Sequence, residues 1–198
     1  MPAKKKIEKE MLVTKALEIL RKEGFSAINA RRLAKELNCS TQPVYYIFGT
    51  MEALKNELKV EATKIHSQLV RQYLDQGEYA DYSAYGLGFI RFATKEKELF
   101  RFLYLYDEKG GKRVDDVHLE LIYDVMQKNY GYDREIVIQF HTNMSYFTYG
   151  IAMMMNTGYL MLSEKEVAEK LHLEFMALAK IYGAPPAFLN SNAGKNDC

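Results

Sequence analysis

The chain has 198 residues, two cysteines and a formal net charge of +1. A chain of this length can bury a core without disulfide bonds, and cysteines at positions 39 and 198 provide neither a disulfide framework nor the spacing of a zinc site. Neither a signal peptide nor a continuous apolar span follows the basic N-terminus, so we expect a cytoplasmic protein that does not bind a membrane.

Charge is divided unevenly along the chain. Residues 1–50 carry ten Lys or Arg and five Asp or Glu, whereas residues 51–198 carry 17 and 21. A basic N-terminal segment on a mildly acidic chain is typical of a part that binds a polyanion such as DNA. A lysine-rich, solvated N-terminus without a partner would give the same count, so charge alone does not decide between the two.

Apolar residues recur at helical spacing along nearly the whole chain, and no segment alternates as a strand does, so the sequence predicts an all-α fold. The fourth helix is the longest, and its length suits a connector between an N-terminal head and a C-terminal body. Its inward face is expected to carry Leu54, Leu58, Ile65, Leu69 and Tyr73. The helices are expected at 7–23, 30–37, 41–47, 51–76, 82–95, 98–106, 114–130, 133–157 and 163–182.

Caps and turns separate these helices. Gly24 is placed to end the first helix, and Asn29 is placed to cap the second. Asn38 tolerates the left-handed conformation in the turn that follows, and Ser40 is predicted to cap the third helix. Pro43 falls in the first turn of that helix, where a missing N–H group does no harm.

The domain prediction follows from this division. Residues 1–50 are expected to form a helix-turn-helix DNA-binding domain, residues 51–187 a helical effector-binding and dimerisation domain, and residues 188–198 a disordered tail. Ser163 and Glu166 form a capping-box pair at the start of the last helix. Gly183 and the prolines after it stop that helix.

Two short helices after a longer one are the arrangement that a helix-turn-helix uses to place a helix in the major groove. The third helix has a polar, compact start and an apolar face made of Val44, Ile47 and Phe48. Gln42 can pair bidentately with adenine, Thr41 can bond to a base edge or phosphate, and Pro43 can contact a thymine methyl group. A small three-helix core with polar surface turns would show the same spacing. The candidate DNA contacts are Asn29, Arg31, Arg32, Ser40, Thr41, Gln42, Pro43, Tyr45 and Tyr46.

This segment resembles the N-terminal signature of the TetR (tetracycline-repressor-like) family of transcriptional regulators. The resemblance implies a three-helix DNA-binding head, a helical ligand-binding body and a homodimer formed through the last two helices. It also places Tyr45 at a phosphate-contacting position. The pattern departs at Asn38, Ile47 and Met51, where the family often has Gly, His or Tyr, and Lys. The matching residues are Gly24, Phe25, Asn29, Leu33, Ala34, Leu37, Ser40, Pro43, Val44, Tyr45, Tyr46, Phe48, Glu52, Ala53 and Leu54.

The body is rich in aromatic and methionine side chains, with 15 Tyr, 10 Phe and 10 Met in the whole chain. Such side chains can line an adaptable apolar cavity, although at helical spacing they also make ordinary core. Polar residues on the penultimate helix, such as Asn143, Thr148 and Asn156, need a partner there, which is either another core group or a ligand. The candidate ligand-binding residues are Phe89, Phe92, Tyr104, Tyr123, Met126, His141, Met144 and Phe147.

The last two helices are also the candidates for a dimer interface. Gly150 and Ala152 would let a partner helix approach closely, and Leu171, Phe175, Leu178 and Ile181 recur at helical spacing as a self-complementary stripe. A charge at Phe175 is therefore expected to split the dimer or unfold the chain.

These features favour a ligand-responsive DNA-binding regulator, most simply a repressor that a small molecule releases from its operator. The partners would be a pseudo-palindromic double-stranded operator, a second copy of the chain and the small molecule. A DNA-binding head with a protein-interaction body, as in an activator or assembly factor, is the alternative. We expect neither an enzyme nor a cofactor or metal site, because no nucleophile and base, histidine cluster or glycine-rich phosphate loop can be assembled.

Overall fold

The computed structural model describes residues 7–105 and 119–183, in which no residue belongs to a strand. The all-α prediction is therefore confirmed for these residues. The helices are α1 (Lys9–Glu23), α2 (Ala30–Glu36), α3 (Gln42–Phe48), α4 (Met51–Gln76), α5 (Asp81–Lys95), α6 (Lys97–Tyr104), α7 (Leu119–Tyr130), α8 (Arg134–Asn156) and α9 (Glu164–Ile181).

Every predicted helix boundary that falls on described residues lies within two residues of the observed one. The predicted end of the sixth helix at residue 106, the predicted start of the seventh at residue 114 and the predicted tail at 188–198 lie outside the described residues. The prediction that Ser40 caps α3 is wrong. Thr41 is the N-cap, since its carbonyl accepts the first backbone hydrogen bond of the helix, 3.2 Å from the amide nitrogen of Val44.

The chain divides into two compact units. The first contains residues 1–67 and 95–111, and the second contains residues 68–94 and 112–198. This division differs from the predicted boundary at residue 50. The long helix α4 contributes residues to both units, and α6 belongs to the first although it follows α5 in sequence.

In the first unit, the core forms because α1 repeats apolar residues at helical spacing. Leu12, Ala16 and Leu20 are fully buried, and α1 packs against α2 and α6. The ring of Phe25, just beyond α1, stacks on that of Phe102 in α6, with 4.8 Å between centroids. The short helices α2 and α3 also pack on each other. These contacts fix α2 and α3 on a base of apolar side chains.

The inward face of α4 was predicted correctly at Leu54, Leu58 and Tyr73, which are buried. It was predicted wrongly at Ile65 and Leu69, which are only half-buried. Residues four apart lie in one row along a helix, so the row that begins at Leu54 and Leu58 continues through other positions. The buried residues along that row are Ala62, His66 and Val70.

In the second unit, α5 is the central helix, since every residue from Ala84 to Ile90 is buried. A Cβ atom at Gly88 would lie 2.6 Å from the Cα of Val70, so only glycine permits this approach of α5 to α4. On α8, Asn156 donates a hydrogen bond to the carbonyl of Ala93 at 2.8 Å, which gives that buried amide a partner in the core. The predicted capping box of Ser163 is confirmed at the start of α9.

Candidate functional site

The first candidate site is the outer face of α3. Val44 is buried, with 1% of its surface exposed, and it anchors the helix to the first unit. Tyr45 and Tyr46 are 51% and 89% exposed. Gln42, at the first turn, is exposed as well. The helix therefore has one apolar face turned inward and a polar, aromatic face open to solvent.

The other residues at the start of α3 differ in their exposure to solvent. Ser40 is exposed, whereas Thr41 and Pro43 are half-buried. The turn before it depends on Asn38, which adopts a φ of 52°, as its type allows. Ile47 and Phe48, the other members of the predicted packing face, are half-buried at the end of the helix.

The predicted phosphate contacts on α2 are not equivalent. Asn29 caps the helix, because its Oδ1 accepts the amide N–H of Arg32 at 2.9 Å. The guanidinium of Arg32 is paired with Glu23 at 2.7 Å and with Glu36 at 3.1 Å. Arg31 is exposed and forms no hydrogen bond or ion pair with the described residues. Of the two arginines, Arg31 has the charge available to a phosphate.

Two other cationic side chains of the first unit are also paired with carboxylates. Arg21 donates two hydrogen bonds to the carboxylate of Glu96, both 2.9 Å long. Lys9 lies 2.8 Å from Glu57. The charge count of residues 1–50 therefore overstates how many cationic side chains are available to a polyanion. The carboxylates that pair with these cations lie outside that segment, on α4 and just before α6.

The second candidate site is a cavity in the second unit, between α5, α8 and α9. Its volume is about 30 Å³. None of the described residues that line it is charged. Five of the lining residues are Tyr or Phe, and one is a histidine. The lining residues are Tyr82, Ser83, Tyr85, Gly86, Phe89, His141, Met144, Ser145, Thr148, Tyr149, Leu171 and Phe175.

His141 is the polar centre of this cavity. Its Nδ1 lies 3.0 Å from the hydroxyl of Tyr82, and its Nε2 lies 3.4 Å from the hydroxyl of Ser145. Burial lowers the pKa of His141 to about 4, because the charged form loses its hydration. Burial also raises the pKa of Tyr82 well above its ordinary value. Both groups are therefore uncharged at neutral pH, and the three side chains form a neutral hydrogen-bonded row.

The predicted ligand-binding residues are only partly brought together. Phe89, His141 and Met144 line the cavity. The other five do not line it. Phe92 and Met126 are fully buried in the core, and Phe147 is half-buried on α8. Tyr104 lies beside His66 in the first unit, and Tyr123 faces the guanidinium of Arg134.

The sequence interpretation missed most of the α5 wall. Tyr82, Tyr85, Gly86 and Phe89 are spaced i, i+3, i+4 and i+7, which places them on one face of a helix. That spacing was visible in the sequence. Nothing in it indicated which of the several aromatic faces would meet α8 and α9, because this depends on how the helices pack.

A second, larger cavity adjoins the same wall. Its volume is about 230 Å³, and Tyr82 and Tyr85 line it as they line the first cavity. The other described side chains around it are Leu74, Asp81, Ile122 and Val125. Tyr82 and Tyr85 therefore contribute to the walls of both cavities.

The predicted dimer stripe needs correction. Leu171, Phe175 and Leu178 are buried within the single chain, as is Ala152, so these residues cannot form a surface stripe. The reason is that α9 turns its most apolar face toward α5 and α8, where Phe175 lies 5.0 Å from Phe140 between ring centroids. Ile181 is 73% exposed. At Gly150 a Cβ atom would meet nothing within 4 Å.

The described residues offer neither a membrane-spanning helix nor a metal site. No helix among residues 7–105 and 119–183 has the length and apolar character to cross a membrane. No group of three or more His, Cys, Asp or Glu side chains in the same ranges is arranged to hold a metal ion.

Comparison with known proteins extends the description of the fold. No family model matches the chain, and no curated protein matches it. A solved structure of a protein with unknown function from Rhodococcus sp. RHA1 is similar, with a TM-score of 0.69 and 18% sequence identity. The match covers 90% of this chain and 99% of that chain. The two proteins therefore share a fold.

Proposed function

We propose that the protein is a DNA-binding transcriptional regulator of the TetR type, with α2 and α3 as its helix-turn-helix. The observation that carries this proposal is the division of α3, in which Val44 is buried while Gln42, Tyr45 and Tyr46 are exposed. A recognition helix needs one anchored face and one face of side chains that bond to bases and phosphates. Gln42 is the base-reading residue of this proposal, and Tyr45 is a phosphate contact.

The neighbouring charges support the same face. Arg31, on α2, is exposed and has no carboxylate partner among the described residues. Arg32 instead joins Glu23 and Glu36, and its role is to hold α1 and α2 together. The proposal therefore keeps Arg31 as a phosphate contact and assigns Arg32 to the structure of the head.

The second unit is proposed to bind an effector and to control the head through α4. The neutral cavity lies on one side of α5, and the contact between Gly88 and Val70 lies where α5 meets α4. Because α4 continues without a break to Met51, a shift of α5 is carried along one helix toward the DNA-binding segment. An effector that favours the shifted state then releases a repressor from its operator.

The regulator is proposed to act as a homodimer, through side chains other than those first expected. Seven of the eleven large apolar side chains exposed among the described residues belong to α8, α9 and their connection. Residues four apart form a ridge that packs into the groove of a partner helix. On α8 the ridge runs through Ile138, Tyr146, Gly150 and Met154, and on α9 through Leu173 and Ile181. The seven exposed residues are Ile138, Tyr146, Met154, Tyr159, Met161, Leu173 and Ile181.

The test is an electrophoretic mobility shift with duplexes from the DNA next to the protein's own gene, measured at increasing salt. Binding should weaken steeply with salt, because phosphate contacts release counterions. Arg31→Ala should weaken binding to all sequences and reduce the salt slope by about one. Arg71→Ala removes another exposed arginine, from the second unit, and should leave binding unchanged. Salt-independent binding, or equal losses for the two variants, would contradict the proposal.

A further inference from the structure

We infer that the effector is an uncharged aromatic compound with one hydrogen-bonding group, bound in the cavity between α5, α8 and α9. This inference rests on the proposed function, since it names the class of the effector. No charged side chain lines the cavity among the described residues. An anion or a cation would lose its hydration there without gaining a partner of opposite charge, which opposes binding.

The aromatic walls determine the shape of the compound. Tyr82, Tyr85 and Phe89 approach from α5, Tyr149 from α8 and Phe175 from α9. The rings of Phe89 and Tyr149 lie 6.0 Å apart between centroids with an interplanar angle of 37°. Aromatic rings attract one another at centroid distances of about 4.5–7 Å, so a flat ring placed among these walls gains several such contacts.

The polar group of the compound is specified by His141 and its neighbours. Tyr82 and Ser145 flank the imidazole, and Ser83 and Thr148 add two more hydroxyl groups to the walls. Each of these groups is neutral and can act as a donor or an acceptor. A hydroxyl group on the compound can therefore form hydrogen bonds with these side chains. A purely apolar compound would offer them no hydrogen bond.

The size of the cavity implies that binding moves part of α5. A volume of about 30 Å³ has room for about two water molecules and not for an aromatic ring. The cavity of about 230 Å³ shares Tyr82 and Tyr85 with it as lining residues. A bound ring that displaces the side chain of Tyr85, which lines both spaces, would extend into the larger one and hold α5 in an altered position. Asp81, the charged residue beside the larger cavity, is exposed to water, so its carboxylate gives a cation little in exchange for the hydration that the cation loses.

The experiment compares three ligands with one ring system and different charges. They are 2-naphthalenemethanol, 2-naphthoate and 2-naphthylmethylammonium, each titrated into the full-length protein by calorimetry at neutral pH and without DNA. We expect the alcohol to bind at least about tenfold more tightly than either ion, because a desolvated charge costs well over 1.4 kcal/mol. Ser83→Met fills the cavity from a half-buried position and should abolish binding of the alcohol.

A second variant tests the polar group. His141→Phe keeps a ring in the wall but removes both nitrogen atoms, and it should weaken binding of the alcohol by about tenfold. If this variant does not fold, Thr148→Val tests the same point with a smaller expected loss. Thermal unfolding of each variant shows whether it is folded before it is titrated.

The outcomes separate this inference from the function on which it rests. Preference for either ion, absence of binding by all three compounds up to about 1 mM, or unchanged affinity in Ser83→Met would overturn the ligand class. The mobility shift described above tests DNA binding independently. Selective binding of the alcohol by a protein that does not bind DNA would contradict the proposed function and leave the ligand class standing.

Discussion

At the scale of single residues, the proposed DNA complex assigns different roles to the exposed side chains of α3. The amide of Gln42 would pair with one base, whereas the hydroxyl of Tyr45 would bond to a backbone phosphate. We therefore expect Gln42→Ala to cost about 1–3 kcal/mol on the operator and to relax preference at one base pair per half-site. Tyr45→Phe should weaken specific and random DNA alike. Competition shifts with both duplexes measure this, and equal losses for Gln42→Ala would show that it does not read a base.

His141 is expected to make the stability of the protein depend on pH. Its folded pKa of about 4 lies below the ordinary 6.5, so between these values the unfolded chain takes up a proton that the folded chain does not. The free energy of unfolding should therefore fall as pH drops through this window, by about 1.4 kcal/mol per unit. The total loss is about 3 kcal/mol.

Urea unfolding of the wild type and of His141→Gln, measured at pH values across that window, isolates this contribution. The variant lacks the titrating ring, so its stability should change less with pH than that of the wild type. Parallel curves for the two proteins would mean that His141 is protonated as easily in the folded chain as in the unfolded one.

At the scale of elements, the contact of α5 with α4 depends on Gly88. A Cβ atom there would lie 2.6 Å from a backbone atom of Val70, so Gly88→Ala forces the two helices apart. We expect this substitution to destabilise the protein by about 1–3 kcal/mol. At Gly86 the nearest atom is a terminal carbon of Leu171, 3.0 Å away, which can move more cheaply. Gly86→Ala should therefore cost less.

Gly150 provides the matched control for this series, since a Cβ atom there meets nothing within 4 Å in the single chain. The proposed dimer ridge runs through this position, so all three variants are made in a Leu173→Glu background, in which no dimer is expected. Gly150→Ala should be neutral or stabilise α8 by up to about 1 kcal/mol, because alanine favours helix more than glycine does. Chemical denaturation of the three variants gives the order. Equal effects at positions 88 and 150 would show that the close approach is not a constraint on the fold.

At the scale of the whole molecule, the exposed apolar ridges on α8 and α9 give a test of assembly. Leu173 is 73% exposed in the single chain, so Leu173→Glu should leave the fold intact. In a dimer formed through this face the new carboxylate would be buried without a partner, and dimers should give way to monomers. Val60→Glu places the same charge at a half-exposed position on α4 and should not change the mass measured by light scattering.

Phe175→Glu is expected to behave differently from Leu173→Glu. Phe175 is buried among the rings of Tyr82, Tyr130 and Phe140, so a carboxylate there disrupts the second unit itself. Loss of helical signal in circular dichroism should accompany this change and be absent for Leu173→Glu. A folded, monomeric Phe175→Glu protein would instead restore the interface expected from the sequence.

Local patterns in the sequence determined the helices, because caps and helical spacing act within a few residues. Asn29 caps α2, the hydroxyl of Thr50 accepts from the amide of Ala53 at the start of α4, and Ser163 forms its capping box. These features need no tertiary contact to specify where a helix begins. The helices of the described residues and their order along the chain follow from them.

Only the tertiary structure decided which face of each helix is covered. Apolar spacing on α9 predicted a stripe through Phe175, but it could not distinguish a core from a dimer surface, since both bury the same kind of side chain. The same limit applied to α4, where His66 is buried and Ile65 is not. The pairing of Arg32 and the neutral cavity around His141 likewise join residues far apart in sequence, and only packing brings them together.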